Sequence, residues 1–225
     1  MEAVDRRRLL LGTGAVVLLS GCSKGKSAQA EEVTPPEDLM REHGVLNRIL
    51  LVYEESARRL ASPGAPPFDA IAGGAEIIRR FIQDYHEKNE ENFLFPRFEK
   101  ANKLVQLVGT LRRQHQAGRV LTETIQSLAN PATANDPAAR HRLSEAMTLF
   151  VRMYRPHEAR EDTVLFPALR AVTTKHEFEE IGERFEDTEH QLFGENGFDG
   201  IVERVVELER TVGIDDLNRF TPPAV

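Results

Sequence analysis

Residues 86–96 read His-Glu-Lys-Asn-Glu-Glu-Asn-Phe-Leu-Phe-Pro, and residues 157–167 read His-Glu-Ala-Arg-Glu-Asp-Thr-Val-Leu-Phe-Pro, with six of the eleven positions identical. A further histidine precedes each copy: His115 follows His43 by 72 residues, much as the second copy follows the first by 71. Each of these histidines lies in a segment with the apolar spacing of a helix. The chain therefore contains an internal repeat, which predicts two related helical hairpins.

Helical geometry predicts what this repeat builds. Residues four apart lie on the same face of a helix, so a histidine and a glutamate at that spacing can hold one metal ion between them. Antiparallel packing of the hairpins turns the two pairs toward each other inside a four-helix bundle, and the other two helices each add one histidine. The predicted ligands are His43, His86, Glu90, His115, His157 and Glu161.

The chemistry of this ligand set favours iron. Neutral imidazoles and carboxylates suit iron better than calcium or magnesium, which prefer oxygen ligands, and a set without thiolates disfavours zinc or copper(I). Bridging carboxylates would serve two ions and leave open positions for a small ligand, so we expect two non-haem, carboxylate-bridged irons. Glu87 and Glu158, each directly after a histidine, could be further ligands or could orient the imidazoles.

The composition indicates one all-α domain. The chain has 225 residues, of which 40% are hydrophobic, 29% charged and only 7% aromatic, with no tryptophan. Abundant leucine, arginine, glutamate and alanine favour helices over a β-sandwich. The net charge of -7, with no dense basic stripe beyond the N-terminus, lacks the electrostatic footprint of a nucleic-acid binder. We therefore expect no nucleic-acid partner; the oligomeric state cannot be inferred.

Apolar periodicity and Pro/Gly breaks predict an antiparallel up-down four-helix bundle at residues 37–171. Residues 172–225 are expected to form a C-terminal helical extension that packs on the bundle. Outside the ligand set, we expect the phenylalanines of the two Leu-Phe-Pro sequences and the three tyrosines to be buried rings. The predicted helices cover residues 37–61, 68–95, 100–128, 138–169, 174–192 and 198–212.

The N-terminus has the pattern of an export signal. Arg6-Arg7-Arg8 precedes an apolar run at residues 9–19, which is too short to span a bilayer, and Cys22 follows small residues. The sequence Leu-Ser-Gly-Cys resembles a bacterial lipobox, and the arginines also resemble a twin-arginine signal; an ordinary secretory signal is the alternative. We expect residues 1–22 to be a signal peptide, Cys22 to be lipidated and residues 23–36 to form a flexible tether. These features predict a lipid-anchored protein on the periplasmic side of the cell envelope.

The chain resembles the hemerythrin-like, or HHE cation-binding, family over residues 37–171. The resemblance rests on an ordered series of motifs: a lone histidine, then His-x-x-x-Glu, then another histidine, then His followed by an acidic residue. A Leu-Phe-Pro sequence follows each of the two motifs that begin with His86 and His157. It implies the same six ligands as the repeat. Oxygen-carrying hemerythrins have a further histidine where this chain has Arg119, and an aspartate at the position of Asp162. The last carboxylate is therefore either Glu161 or Asp162, and equivalence with Glu90 favours Glu161.

These features together predict a non-haem di-iron protein that binds dioxygen or a related small ligand, in sensing, binding or iron handling. The missing histidine at Arg119 makes plain reversible oxygen transport a weaker expectation. One alternative is a di-iron oxidase or an enzyme that consumes peroxide or nitric oxide, although we assign no catalytic residue. Another alternative is a metal-free helical scaffold. Haem is disfavoured because the sequence has no Cys-x-x-Cys-His.

Overall fold

The computed structural model of the protein describes residues 33–62 and 64–223. The predicted signal peptide, the lipidation site at Cys22 and most of the predicted tether lie outside these residues. Within them, none of the helices combines the length and the apolar character that crossing a bilayer requires.

The part of the chain that the structure describes forms six helices and no strand. The first four pack in a ring, each against its two neighbours in the order of the sequence, with α4 closing the ring against α1. The prediction of an all-α four-helix bundle with additional C-terminal helices is thus confirmed. The helices are α1 (Pro35–Leu60), α2 (residues 68–100), α3 (Val105–Leu128), α4 (residues 137–168), α5 (Lys175–Phe193) and α6 (Gly197–Val212).

The bundle begins two residues before the predicted boundary. Thr34 lies at the N-cap of α1, where the Glu37 carboxylate accepts hydrogen bonds from the Thr34 backbone N–H and hydroxyl at 2.8 and 2.7 Å. Pro35 fits the first helical turn because that turn has no intrahelical partner for an N–H group.

Wide helical turns distinguish α2 and α4 from α1 and α3. π-Helical segments occupy Ile78–His86 and Glu90–Leu94 in α2, and Glu161–Leu165 in α4. The last two begin at corresponding glutamates of the repeat, and each ends with a bond from a phenylalanine N–H to the carbonyl of the glutamate five residues earlier.

These wide turns correct one prediction. Pro96 was expected to end the second helix, yet α2 continues to residue 100. In a regular α-helix a proline ring clashes with the carbonyl four residues earlier. The π-helical segment just before Pro96 changes the local hydrogen bonding and lets the helix pass through that position.

The third helix also begins later than predicted, at Val105 rather than at residue 100. Residues 101–104 reverse the chain, and Asn102 and Leu104 both adopt the left-handed conformation, with φ of 53° and 52°. Helical periodicity does not reveal such a turn, because the turn depends on backbone conformations that non-glycine residues rarely adopt.

Two hydrophobic clusters fill the bundle on either side of the predicted ligands. The tyrosine cluster contains all three tyrosines (Tyr53, Tyr85 and Tyr154) with Phe81, Phe150 and the aliphatic residues around them. The phenylalanine cluster contains Phe95, Phe98, Phe166, Phe178 and Phe185 with Leu39, Leu94, Val108, Leu111, Leu165, Leu169 and Ile181. Each of the four ligand histidines lies, in sequence, between residues of the two clusters.

The C-terminal helices lie against the bundle. Helix α5 adds three side chains to the phenylalanine cluster, while Ile201 and Val205 of α6 join the tyrosine cluster. The two glycines in α2 allow close packing: a Cβ at Gly73 would lie 2.8 Å from Leu208 of α6, and one at Gly74 would lie 3.2 Å from Tyr53 of α1. Small residues at this point let α2 approach both neighbours.

Candidate metal centre

Each helix of the bundle contributes one buried histidine to the same level of the interior. The residues are His43 of α1, His86 of α2, His115 of α3 and His157 of α4, and none is more than 3% exposed. The carboxylates of Glu90 and Glu161 are fully buried among them. The structure therefore brings together all six predicted ligands.

These six residues form two half-sites, one from each hairpin. In each half-site the ligand atoms lie within 4.8 Å of one another. The first half-site consists of His43, His86 and Glu90, from α1 and α2, and the second consists of His115, His157 and Glu161, from α3 and α4. The duplication seen in the sequence is thus a duplication of metal-binding groups.

The two glutamates connect the half-sites. One oxygen of Glu90 lies 3.7 Å from Nε2 of His86 in its own half-site and 3.4 Å from Nε2 of His115 in the other. One oxygen of Glu161 lies 3.0 Å from Nε2 of His157 and 3.4 Å from Nε2 of His43. Each carboxylate therefore faces one histidine of each half-site.

The outward Nδ1 atom of each histidine has its own hydrogen-bond acceptor. The pairs are His43 with Asp162 (2.7 Å), His86 with Glu42 (2.7 Å), His115 with Glu91 (3.1 Å) and His157 with Gln114 (3.0 Å). An Nδ1–H that donates outward leaves Nε2 as the inward-facing lone pair. These hydrogen bonds orient all four imidazoles with Nε2 facing the centre, as metal binding would need.

This arrangement separates the roles of Glu161 and Asp162. Glu161 faces inward between two histidines, whereas the Asp162 carboxylate lies on the outer side of His43 and is 35% exposed. Glu91, one residue after Glu90, does the same for His115. In both copies of the repeat, Glu90 or Glu161 faces the centre, and the acidic residue directly after it orients a histidine of the other hairpin.

Asp162 was a candidate from the sequence, but the other three outer acceptors, Glu42, Glu91 and Gln114, were not identified, although the repeat contains their signal. Glu42 and Gln114 are 72 residues apart and each holds the histidine of the next helix. Glu91 and Asp162 are 71 residues apart and each holds the histidine of the opposite hairpin. Extending the comparison one residue to either side of the ligands would have found them.

Glu87 and Glu158 are both buried, but their contacts differ. Glu87 accepts hydrogen bonds from the Tyr154 hydroxyl at 2.6 Å and from Arg119 at 2.7 Å, so both oxygens are engaged. One oxygen of Glu158 accepts from Asn47, and the other has no hydrogen-bond partner among residues 33–62 and 64–223. Of these two glutamates, Glu158 is the one with an oxygen available to a ligand.

Arg119 lies one turn after His115, where a further histidine would provide an imidazole. Its guanidinium instead forms ion pairs with Glu87 and Glu91, both at 2.7 Å. The corresponding residue in the first hairpin is Asn47. The centre thus has four histidines, and the other three histidines of the chain are exposed: His141, His176 and His190.

Several buried polar atoms of the centre lack hydrogen-bond partners, and this shows whether the site suits a metal. Nε2 of His43 and of His115, and both oxygens of Glu90 and Glu161, have no hydrogen-bond partner within the described part of the chain. In the same part of the chain, no lysine or arginine pairs with either glutamate. Burial of carboxylates without a cation costs several kcal/mol. These atoms converge on one space, as bound cations would require.

Without a metal, the centre retains protons. Burial and the charge of Glu161 raise the pKa of Glu90 well above its usual range. Burial acts on Glu161 too, but the adjacent imidazoles of His157 and His43 outweigh it and lower the pKa of Glu161. Burial also disfavours the charged form of His43, yet the hydrogen bond to Asp162 and the nearby charge of Glu161 raise its pKa to about 10. Metal binding at these groups would therefore release protons.

Aromatic rings pack against the histidines from both clusters. On one side, Phe166 stacks on His43 at a ring distance of 5.4 Å and Phe95 stacks on His115 at 5.6 Å. On the other, Tyr154 lies 5.3 Å from His157. Tyr154 was expected to be an ordinary buried ring, but its hydroxyl also donates a hydrogen bond to Glu87. The Tyr154 side chain lies so close to Gly118 that a Cβ at that position would clash with it.

A cleft between α3 and α4 reaches the edge of the centre. Its volume is about 360 Å³ and its walls include Gln106, Leu107, Thr110, Gln114, His157 and Arg160. Gln114 and His157 are the pair joined by the Nδ1 hydrogen bond. The second half-site therefore adjoins this opening.

The sequence over residues 34–141 matches the hemerythrin HHE cation binding domain. The chain contains a hemerythrin HHE cation-binding domain. Cation binding is therefore the role that both the family and the buried histidine and glutamate groups support. The matched region contains the first half-site and His115 but ends within α4, before His157 and Glu161; these last two ligands follow from the repeat and the geometry.

Similar proteins occur in mycobacteria. An uncharacterized protein of Mycobacterium bovis is 48% identical over 234 aligned residues, which cover 98% of this chain and 92% of that protein. Uncharacterized proteins from two strains of Mycobacterium tuberculosis match with the same identity and coverage. No solved structure matches this chain.

Proposed function

We propose that this protein is a non-haem di-iron protein that binds dioxygen or a related small ligand such as nitric oxide or peroxide. The observation that carries the proposal is the pair of half-sites whose two glutamates each face a histidine of the other half. A single ion would leave one half-site without a cation. Two ions would use all four inward nitrogen atoms and both carboxylates.

Iron is the metal that this donor set favours, because imidazole and carboxylate donors together suit it better than they suit calcium or magnesium. When bound, a pair of ferrous ions supplies two electrons to a small ligand. The residues of this chain would hold the ions, and Asp162, Glu42, Glu91 and Gln114 would fix the imidazoles through Nδ1.

The surroundings support binding of a small ligand. Phe95 and Phe166 cover the histidines on one side and exclude water there. Glu158, the residue after His157, keeps one buried oxygen without a partner among the residues that the structure describes, so this oxygen is available to a ligand or a metal.

Sensing or binding of a small ligand, or iron handling, fits this centre better than plain oxygen transport. Arg119 takes the place of an additional imidazole and pairs with Glu87 and Glu91. Fewer imidazoles leave a more open set of coordination positions for exchange. The N-terminal sequence further supports a location outside the cytoplasm, with a lipid anchor at Cys22 in the cell envelope.

Iron content and the optical spectrum test the proposal. The purified protein loaded with ferrous iron should hold two irons per chain and develop ligand-to-metal charge-transfer absorption in air. Replacing both Glu90 and Glu161 by Ala should abolish binding of the pair, while the control His176→Ala, an exposed histidine, should leave it intact. One metal per chain, or none after loading, would show that the di-iron proposal is wrong and would favour a mononuclear site or a metal-free scaffold.

Turnover of peroxide or nitric oxide is a second candidate. The observation that favours it is the polar side of the centre, where Tyr154 donates to Glu87 and Glu158 lies close to His157 in the chain. Reduction of peroxide requires two protons and two electrons; such groups can hold the protons, and a ferrous pair that an added reductant regenerates would supply the electrons. Repeated consumption of peroxide or nitric oxide by the iron-loaded protein would support an enzyme, whereas a stable ligand-bound spectrum would support binding alone.

A further inference from the structure

We infer that the two metal positions differ in lability, and that the position formed by α3 and α4 is the exchangeable one. This inference rests on the proposed di-iron function and concerns which half-site releases and takes up its ion. The ligands of the two half-sites are the same in kind, so the difference comes from the residues around them.

The first difference lies in the residues that hold the second histidine of each hairpin. Nδ1 of His86 pairs with a carboxylate, Glu42, whereas Nδ1 of His157 pairs with the neutral amide of Gln114. A carboxylate partner makes an imidazole a stronger donor to a metal, and loss of such a partner costs ~10- to 100-fold in metal affinity. His157 is therefore the weaker donor of this pair.

The second difference concerns the other histidine of each half-site. The acceptor of His115 is Glu91, whose charge is also paired with Arg119 and with Lys88, at 2.7 Å each. The acceptor of His43 is Asp162, and no lysine or arginine pairs with Asp162 in residues 33–62 and 64–223. Neutralisation of Glu91 leaves His115 less strongly polarised than His43.

The third difference is the charge one turn beyond each of these histidines. In the second hairpin, the Arg119 cation lies four residues after His115. In the first hairpin, Asn47 lies four residues after His43 and is neutral. A nearby positive charge disfavours a bound cation, so this difference acts in the same direction as the other two.

The fourth observation concerns access to solvent. His157 and Gln114 line the cleft between α3 and α4, together with Thr110 and Arg160. The second half-site therefore borders this cleft, with the side chains of His157 and Gln114 between the two. Weaker donors and a nearby opening together make this half-site the exchangeable one. Gln114 is the positioning residue in both respects, because it holds His157 and also lines the cleft.

Release of iron to a chelator tests the inference. The full chain would be loaded anaerobically with two ferrous ions and mixed with excess bipyridine, and the coloured complex would be followed over time. We expect two phases of equal amplitude, with the fast phase ~10- to 100-fold faster than the slow phase.

Reciprocal substitutions assign the phases. Gln114→Glu gives His157 the carboxylate partner that His86 already has, and should slow the fast phase only. Glu42→Gln makes the opposite change at His86 and should accelerate the slow phase only. A merely structural role for either residue would alter both phases together.

A third variant tests the cleft without changing a hydrogen bond to a ligand. Thr110 lies one turn before Gln114 and lines the cleft, so Thr110→Trp should slow the fast phase. Gln116→Trp, at an exposed position of the same helix, is the control and should leave both phases unchanged.

The outcomes separate the two proposals. Two bound irons released in one phase would overturn the inference while leaving the di-iron function intact. A fast phase that responds to Glu42→Gln rather than to Gln114→Glu would also overturn it, by assigning lability to the first half-site. A protein that never binds two irons would instead contradict the proposed function.

Discussion

The phenylalanine cluster and the tyrosine cluster enclose the same metal centre but contact it by different means. The phenylalanine cluster presents the faces of two apolar rings to His43 and His115. The tyrosine cluster presents a hydroxyl group, which Tyr154 uses to reach Glu87 and, through it, Arg119. One side orients imidazoles by packing, and the other anchors a buried carboxylate by hydrogen bonds.

Because of this difference, truncating a side chain should destabilise the protein by a different mechanism in each cluster. On the phenylalanine side, the loss scales with the apolar volume removed and the cavity left behind. On the tyrosine side, it depends on whether a buried polar group loses its partner. Three pairs of variants, in order of decreasing effect, test this difference between the two clusters.

The largest effect is expected on the phenylalanine side. Phe166→Ala removes a fully buried ring that also stacks on His43, so the free energy of unfolding should fall by about 3–5 kcal/mol. Urea unfolding with and without ferrous iron would measure it. The control Phe178→Ala should cause a similar loss without metal but should keep the full stabilisation by iron, because Phe178 contacts no ligand histidine among its ring contacts in the described chain. Equal stabilisation of both variants by iron would contradict a role for Phe166 in holding His43.

A smaller effect should follow Gly118→Ala. A Cβ at Gly118 would lie 2.1 Å from the Tyr154 hydroxyl oxygen, so the tyrosine must move and lose its bond to Glu87. We expect a loss of about 2–3 kcal/mol from overpacking and the lost hydrogen bond. Gly109→Ala lies in the same helix, where the new Cβ would meet only Arg113 at 3.7 Å, and should stabilise by about 0.5–1 kcal/mol. If the melting temperature of both variants shifted in the same direction, the contact between residue 118 and Tyr154 would not be what determines the stability of the Gly118→Ala variant.

The smallest effect should come from removing single hydroxyl groups. Tyr154→Phe leaves an oxygen of the buried Glu87 without its donor and should destabilise by about 1–2 kcal/mol. Tyr53→Phe should be neutral or slightly stabilising, because the Tyr53 hydroxyl has no partner in the residues that the structure describes. Chemical denaturation of the metal-free proteins compares the two directly. Equal losses would mean that the bond between Tyr154 and Glu87 contributes nothing of its own.

The comparison also separates what the sequence could predict from what it could not. The repeat predicted the bundle and the six residues that converge, because helical spacing determines which side chains share a face. The outer acceptors depend on the rotation of each helix about its axis, which spacing alone does not give. Glu42 and Gln114, one residue before a ligand histidine, therefore escaped notice.

The errors at the helix ends have a similar origin. The rule that proline ends a helix predicted a boundary at Pro96, but the rule assumes regular α-helical hydrogen bonds. The wide turn at Glu90–Leu94 changes those bonds. The contact of Tyr154 with Glu87 was missed because it depends on the space that Gly118 leaves on a neighbouring helix.

Each hairpin directs its glutamate toward a histidine of the other hairpin, and this arrangement sets a minimum size for such a protein. Glu90 from one hairpin faces His115 of the other, and Glu161 faces His43 in return. A single hairpin would thus bring together two histidines and one glutamate, and the glutamate would have no histidine of a second hairpin to face. Two hairpins in one chain are the smallest self-sufficient unit, and a protein shortened by either one could complete its centre only by pairing with a second molecule.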